Sequence, residues 1–185
     1  MIDWLVNLDT RLFLFLNSAL SNSVFDRIMP IITNDWILRV VLLIIVVLLL
    51  IFGKKQGRVA ALLCVVAVVL SDQVSSHLIK PLVARVRPCH VVPDVHLLVA
   101  CSQGLSFPSS HAANSFSVAT LISLSYRRQV WLYLTIAAII SYSRIAVGVH
   151  YPFDVLAGVL VGVLCATGVF AAYQYVGAWL DKRKA

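Results

Sequence analysis

Val40–Phe52 is thirteen apolar residues without a break, and Val59–Leu70 is twelve more. A third run, Val155–Ala172, is apolar or glycine except for Thr167. No feature constrains the chain more. A bilayer core of ~30 Å is crossed by roughly 20 mostly apolar helical residues, and these runs with their flanks approach that length. Overall the 185 residues are 61% hydrophobic and 12% charged, whereas soluble domains are nearer half apolar. The expected fold is all-α, a polytopic transmembrane helical bundle.

Five spans are expected, at about Trp36–Phe52, Val59–Ile79, His111–Tyr126, Val130–Val149 and Phe153–Leu180. Residues 1–35 form a separate N-terminal segment ahead of the 36–185 transmembrane domain. There Leu5, Leu8, Leu12, Phe15, Leu16 and Leu20 alternate with Asp3, Asn7, Asp9 and Arg11. That pattern reads as an amphipathic helix in the interface, with a short sixth span as the alternative. Asp3, Asp9 and Arg11 are foreign to a cleaved signal peptide. Gly158 and Gly162 have the small-xxx-small spacing that brings helices close within a bundle. Trp4, Trp36, Trp131 and Trp179, near span ends, read as interface anchors.

The formal charge of +7 does not indicate a nucleic-acid partner, because the basic residues fall in short clusters between apolar runs. Lys54, Lys55 and Arg58 form one cluster, Arg127 and Arg128 another, and Lys182, Arg183 and Lys184 the last. An even number of expected spans separates each from the next. The positive-inside bias makes all three cytoplasmic, the C-terminus included. The long connection Lys80–Ser110 and the junction Ser143–Asp154 then share the extracytoplasmic face.

Three polar stretches meet on that face: Lys80-Pro-Leu-Val-Ala-Arg-Val-Arg87-Pro88, Phe107-Pro108-Ser109-Ser110-His111, and Ser143-Arg144-x5-His150-x3-Asp154. Cations, hydroxyls, two imidazoles and a carboxylate are what gripping an oxyanion and working on it by nucleophilic and acid–base chemistry requires. Ser109 and Ser110 begin an apolar helix, where backbone N–H groups and the helix dipole favour phosphate. His150 and Asp154 are four apart, so the carboxylate can reach one ring nitrogen and set the tautomer.

Together the patterns Lys-x6-Arg-Pro, Pro-Ser-x-His and Ser-Arg-x5-His-x3-Asp resemble those of the type 2 phosphatidic acid phosphatase (PAP2) superfamily, integral-membrane lipid phosphatases. The resemblance runs from about residue 36 to the last helix. It departs from the family at Ser110, where a glycine is usual. It implies a metal-independent lipid phosphatase in which His150 is the nucleophile, Asp154 orients it, and His111 is the general acid and then the base. Lys80, Arg87, Arg144, Ser109 and Ser110 would hold the phosphoryl oxygens. No cofactor is implied. The chain also has no Glu to build a metal site, and its eight Asp are scattered.

The expected activity is hydrolysis of a phosphomonoester or diphosphate on a lipid at the periplasmic face of a bacterial inner membrane. Undecaprenyl pyrophosphate comes first among substrates, followed by phosphatidylglycerophosphate, phosphatidate and lipid A 1-phosphate. The rival readings are a lipid-to-lipid phosphotransferase and a non-enzymatic lipid-binding scaffold.

Outside the motifs, Arg85 reads as a snorkelling anchor. Asp72 reads as a packing or cation-pairing group within a span, and His77, His90 and His96 as structural. Cys64 and Cys165 fall within spans as buried thiols. Cys89 and Cys101 flank part of the extracytoplasmic loop and are expected to form a disulfide there.

Overall fold

The computed structural model describes residues 2–183, which are helices and their connections without a strand among them. Lys184, the last of the C-terminal basic cluster, lies outside them. α1 (Ile2–Leu14) runs into a π-helical turn at Phe15–Ala19 and is followed by α2 (Ser23–Ile32). α3 (Asp35–Phe52) and α4 (Lys54–Gln73) form an antiparallel pair. α4 continues through a second π-helical turn, Val74–Ile79, into the single turn α5 (Lys80–Val83). α6 (Pro88–Val91) lies in the long loop, and α7 (Ser110–Ser125), α8 (Val130–Ala146) and α9 (Pro152–Lys182) complete the bundle.

Among the described residues, three helices are long and apolar enough to cross a membrane by length and composition: α3, the α4-to-α6 run and α9. α7 and α8, of 16 and 17 residues, occupy the places of the other two expected spans. The helix ends are chemically marked. The Asn22 side chain accepts hydrogen bonds from Val24 and Phe25 N–H at the start of α2, and Asn34 accepts from Trp36 and Ile37 N–H at the start of α3. Pro152 opens α9, where its missing N–H costs nothing.

α7 is the hub, packed against α4, α8 and α9. Gly158 and Gly162 of α9 make this possible, since a Cβ on either would run into the backbone carbonyl of Ser109 or Ala113. Small-residue contact of this kind replaces hydrophobic exclusion, because lipid tails give apolar side chains no reason to leave them. α3 shows the converse: none of its residues is fully buried, and much of its apolar surface faces outward. It packs on α4 but makes no substantial contact with α8. A long groove is left between them.

The N-terminal segment buries two polar side chains along with one aromatic ring and leaves several large apolar groups outside. Asp9, Phe13 and Asn17 are buried, while Trp4, Leu5, Leu12 and Phe15 are exposed. Asn17 is bonded to the far side of the bundle: its amide donates to the carbonyls of His96, Ile145 and Ala146 at 2.9, 3.2 and 2.9 Å. Its side-chain oxygen accepts from His96 N–H at 2.9 Å. It therefore satisfies the open carbonyl end of α8, next to the turn that carries His150.

Candidate active site

The turn between α8 and α9 depends on Gly148, whose φ of +87° is open to glycine and strained for any other residue. A Cβ there would also lie 2.8 Å from Val95 Cγ1 and 3.0 Å from the His96 carbonyl oxygen. Beyond this turn His150 points into the bundle and is 2% exposed. Asp154, wholly buried, accepts the Tyr151 N–H at 2.9 Å and so closes the first turn of α9 while facing the imidazole. Its Oδ2 lies 3.4 Å from His150 Nδ1. Arg87 Nη1 lies 3.1 Å from the other nitrogen, Nε2. An arginine can only donate, so Nε2 is the lone-pair nitrogen and Nδ1 carries the hydrogen. Burial first, then the charges of Arg144, Arg87 and Lys80, hold the His150 imidazole well below its ordinary range, so the ring is neutral at pH 7.

Arg87 is fixed by two carbonyls, Gly104 at 2.8 Å from Nε and Val149 at 3.1 Å from Nη1. The loop supplying Gly104 is tied by a disulfide between Cys89 and Cys101, whose Cα atoms are 6.2 Å apart. Arg144 Nη1 donates to the Thr33 hydroxyl. Its Nε is buried without a hydrogen-bond partner among the described residues, a donor free for an anion. His111 Nε2 faces two acceptors, the Thr33 carbonyl at 3.1 Å and Asp35 Oδ1 at 3.2 Å.

Lys80, Arg87, Ser110, His111, Arg144 and His150 line one cavity of about 1050 Å³. It continues between α3, α4, α7 and α8 as far as Ile122 and Tyr133. From His111 to Ile122 is eleven residues of α7, roughly 16 Å at the rise of an α-helix. Lys80, Arg87 and Arg144 stand with His150, Arg39 of α3 also lines the cavity, and much of the rest is aliphatic. Asp72 and Asn114 interrupt the apolar wall; Asn114 donates to Asp72 at 3.4 Å and accepts from Ser71 at 2.8 Å.

Of the two expected serines, one lines the cavity and the other does not. Ser110 Oγ lies 3.1 Å from Ser76 Oγ, at the cavity wall. Ser109 is fully buried and caps α7 through its hydroxyl oxygen, while its N–H donates to the Asp154 carbonyl at 2.9 Å. It does not line the cavity, and its hydroxyl proton is what it has left to donate.

Arg85 corrects the sequence reading. It is no snorkelling anchor: its Nη1 lies 2.8 Å from Asp154 Oδ1 and 2.7 Å from Asp9 Oδ2, and its guanidinium stacks on the Tyr151 ring at 3.8 Å. Nothing local in the sequence announces this, because both partners come from distant helices. Asp9, Thr33 and Asp35 were missed for the same reason. His96 pairs with Asp26 at 2.8 Å, away from the cavity.

The PAP2 superfamily model matches residues 61–178, which include every one of the three polar stretches. The chain belongs to the PAP2 superfamily. Among PAP2 relatives, the lipid A 4'-phosphatase of Porphyromonas gingivalis is 32% identical over 97% of this chain and 79% of its own length. The undecaprenyl-diphosphatase BcrC of Bacillus subtilis is 31% identical over 77% and 72%. The bacitracin transport permease protein BcrC of Bacillus licheniformis is 36% identical over 62% of this chain, which spans only 56% of that relative. In structure, LpxE of Aquifex aeolicus superposes with a TM-score of 0.75 at 26% identity, over 89% of this chain and 95% of its own. The PAP2 match begins within α4, so α1, α2 and α3 stand before it.

Proposed function

We propose that this chain is a metal-independent lipid phosphatase that works through a phosphohistidine at His150. The observation that carries the reading is the neutral, buried His150, with its lone-pair nitrogen on Arg87 and its N–H toward Asp154, at the cationic end of an apolar groove. Lys80, Arg87 and Arg144 neutralise the phosphoryl oxygens, as electrostatic catalysis of phosphoryl transfer requires. Arg87 moves its hydrogen bond from Nε2 to the phosphate, and Nε2 attacks phosphorus. The phosphorus–oxygen bond to the lipid breaks, its electron pair stays on the lipid oxygen, and His111 gives that oxygen a proton. Water then attacks the phosphohistidine while His111 takes its proton back, which frees phosphate and restores His150. Asp154 stabilises the charge that the ring gains.

The lipid lies with its phosphate at the His150 end and its hydrocarbon in the groove, entering between α3 and α8. Lys54 and Arg127 stand at the helix ends remote from the site, where the Gln56 side chain reaches the Ser125 carbonyl. Positive-inside reasoning puts those ends in the cytoplasm and the site at the periplasmic side of a bacterial inner membrane.

Undecaprenyl diphosphate is the first substrate reading, in keeping with the similarity to the Bacillus subtilis undecaprenyl-diphosphatase. Lipid A phosphate is the second, favoured by the relative from Porphyromonas gingivalis whose similarity extends over 97% of this chain. The test is phosphate release by purified protein in detergent with EDTA, over undecaprenyl diphosphate, phosphatidylglycerophosphate, phosphatidate and lipid A. Release lost in His150→Ala supports the mechanism, and the ranking names the lipid. Release untouched by that substitution, or a phosphorylated lipid in place of free phosphate, sinks it.

A further inference from the structure

The Lys-x6-Arg-Pro motif accounts for Lys80 and Arg87 and leaves Arg85, between them, without a role. Yet Arg85 joins two buried carboxylates, Asp154 and Asp9, at 2.8 and 2.7 Å. Asp9 is 0% exposed and comes from α1, well before the PAP2 match. Its other oxygen accepts the Phe153 N–H at 2.9 Å, so Asp9 grips the first turn of α9 twice, through the backbone and through Arg85. Tyr151 supports the guanidinium from one face, and Phe13 of α1 packs edge-on to the Tyr151 ring at 5.5 Å.

A carboxylate is not left buried in such a place without consequence, since desolvating it is costly unless it is paired. If Arg85 faced Asp154 alone, the pair would be neutral, and Asp154 would spend its charge on the guanidinium instead of on His150. With Asp9 on its other side, Arg85 is shared. The trio then carries one net negative charge beside the ring, matching the positive charge that His150 gains when Nε2 bonds to phosphorus.

We propose that Asp9 is a positioning residue for phosphoryl transfer: through Arg85 it orients Asp154 and leaves it charged toward His150. The proposal rests on the roles given above to His150 and Asp154. The N-terminal segment is by this account a working part of the active site.

The test uses the full chain in detergent, with undecaprenyl diphosphate and dioctanoyl phosphatidate as probes and His150→Ala as the control. Asp9→Asn keeps an acceptor for the Phe153 N–H and removes the charge. Its kcat is expected to fall about tenfold, the scale of a coupled pair, with KM little changed. In an Asp154→Asn background the same substitution is expected to cost nothing further. A role confined to anchoring α1 would lower the thermal midpoint and leave kcat per folded molecule alone. That result, or an equal loss in both backgrounds, overturns the proposal while leaving the His150 mechanism standing. Activity that survives in His150→Ala instead brings down the underlying reading. Should Asp9→Asn not fold, Arg85→Gln removes the cation that bridges the two carboxylates; a native kcat there overturns the proposal, and a fall that vanishes with Asp154→Asn upholds it.

Discussion

Arg87 Nη1 stands 3.1 Å from His150 Nε2. That single contact sorts the two ring nitrogens, because a guanidinium can only donate and so finds a lone pair. It also holds a cation at the cavity wall, beside the nitrogen proposed to attack. In the proposed mechanism, substrate draws Arg87 away from this nitrogen, which would couple binding to exposure of the nucleophile.

His111→Ala is expected to slow phosphate release from a lipid about 10²–10⁴-fold, the usual worth of a general acid–base. The deficit should shrink for p-nitrophenyl phosphate, whose leaving group departs without a proton. Comparing kcat for the two substrates in native and variant protein checks this. An equal loss on both would deny His111 the role of acid.

The depressed His150 value has a sign for stability. The unfolded chain takes up a proton near pH 6.5, the folded protein only at lower pH. The contribution is therefore complete above about pH 6.5 and is lost as the pH falls from there through the folded value. Thermal midpoints of native protein and His150→Asn, measured from pH 7.5 to 5, should diverge accordingly. The native chain loses more on acidification, and parallel curves would contradict it.

Gly148→Ala must hold a side chain at φ +87° and against Val95. Strain of this kind costs of order 1–3 kcal/mol. His150 is two residues on, so kcat should fall together with the melting temperature. An unchanged kcat would mean that the turn tolerates the shift without moving the imidazole.

Ile140 lines the groove on α8, beyond the cations. Ile140→Trp should raise KM for a long-chain lipid phosphate several-fold while sparing p-nitrophenyl phosphate, since lost uniform binding shows in KM alone. Equal effects on both would place the hydrocarbon elsewhere.

The chain's order of residues was enough to reveal the helices and to bring the candidate site residues into view. Uninterrupted apolar runs cannot stay in water, so α3, α4 and α9 were legible from composition over a window. His150 and Asp154 were legible because four residues make one helical turn, and Ser110 and His111 because they begin a helix. Contacts across the bundle were not legible. Asp9 to Arg85, Asn17 to the end of α8, and Thr33 to Arg144 join residues with no shared periodicity. The N-terminal pattern suggested a membrane-surface helix, while Asp9 and Asn17 are turned inward to partners that only the packed bundle supplies. Arg85 could pass for an anchor because a lone cation near a span end has two physical uses, snorkelling to headgroups or pairing with a buried acid. Sequence decides that such a charge must be satisfied. Only the tertiary structure decides by what, because the energy of a buried ion pair depends on distance and on exclusion of water, and both are set by chain segments far apart.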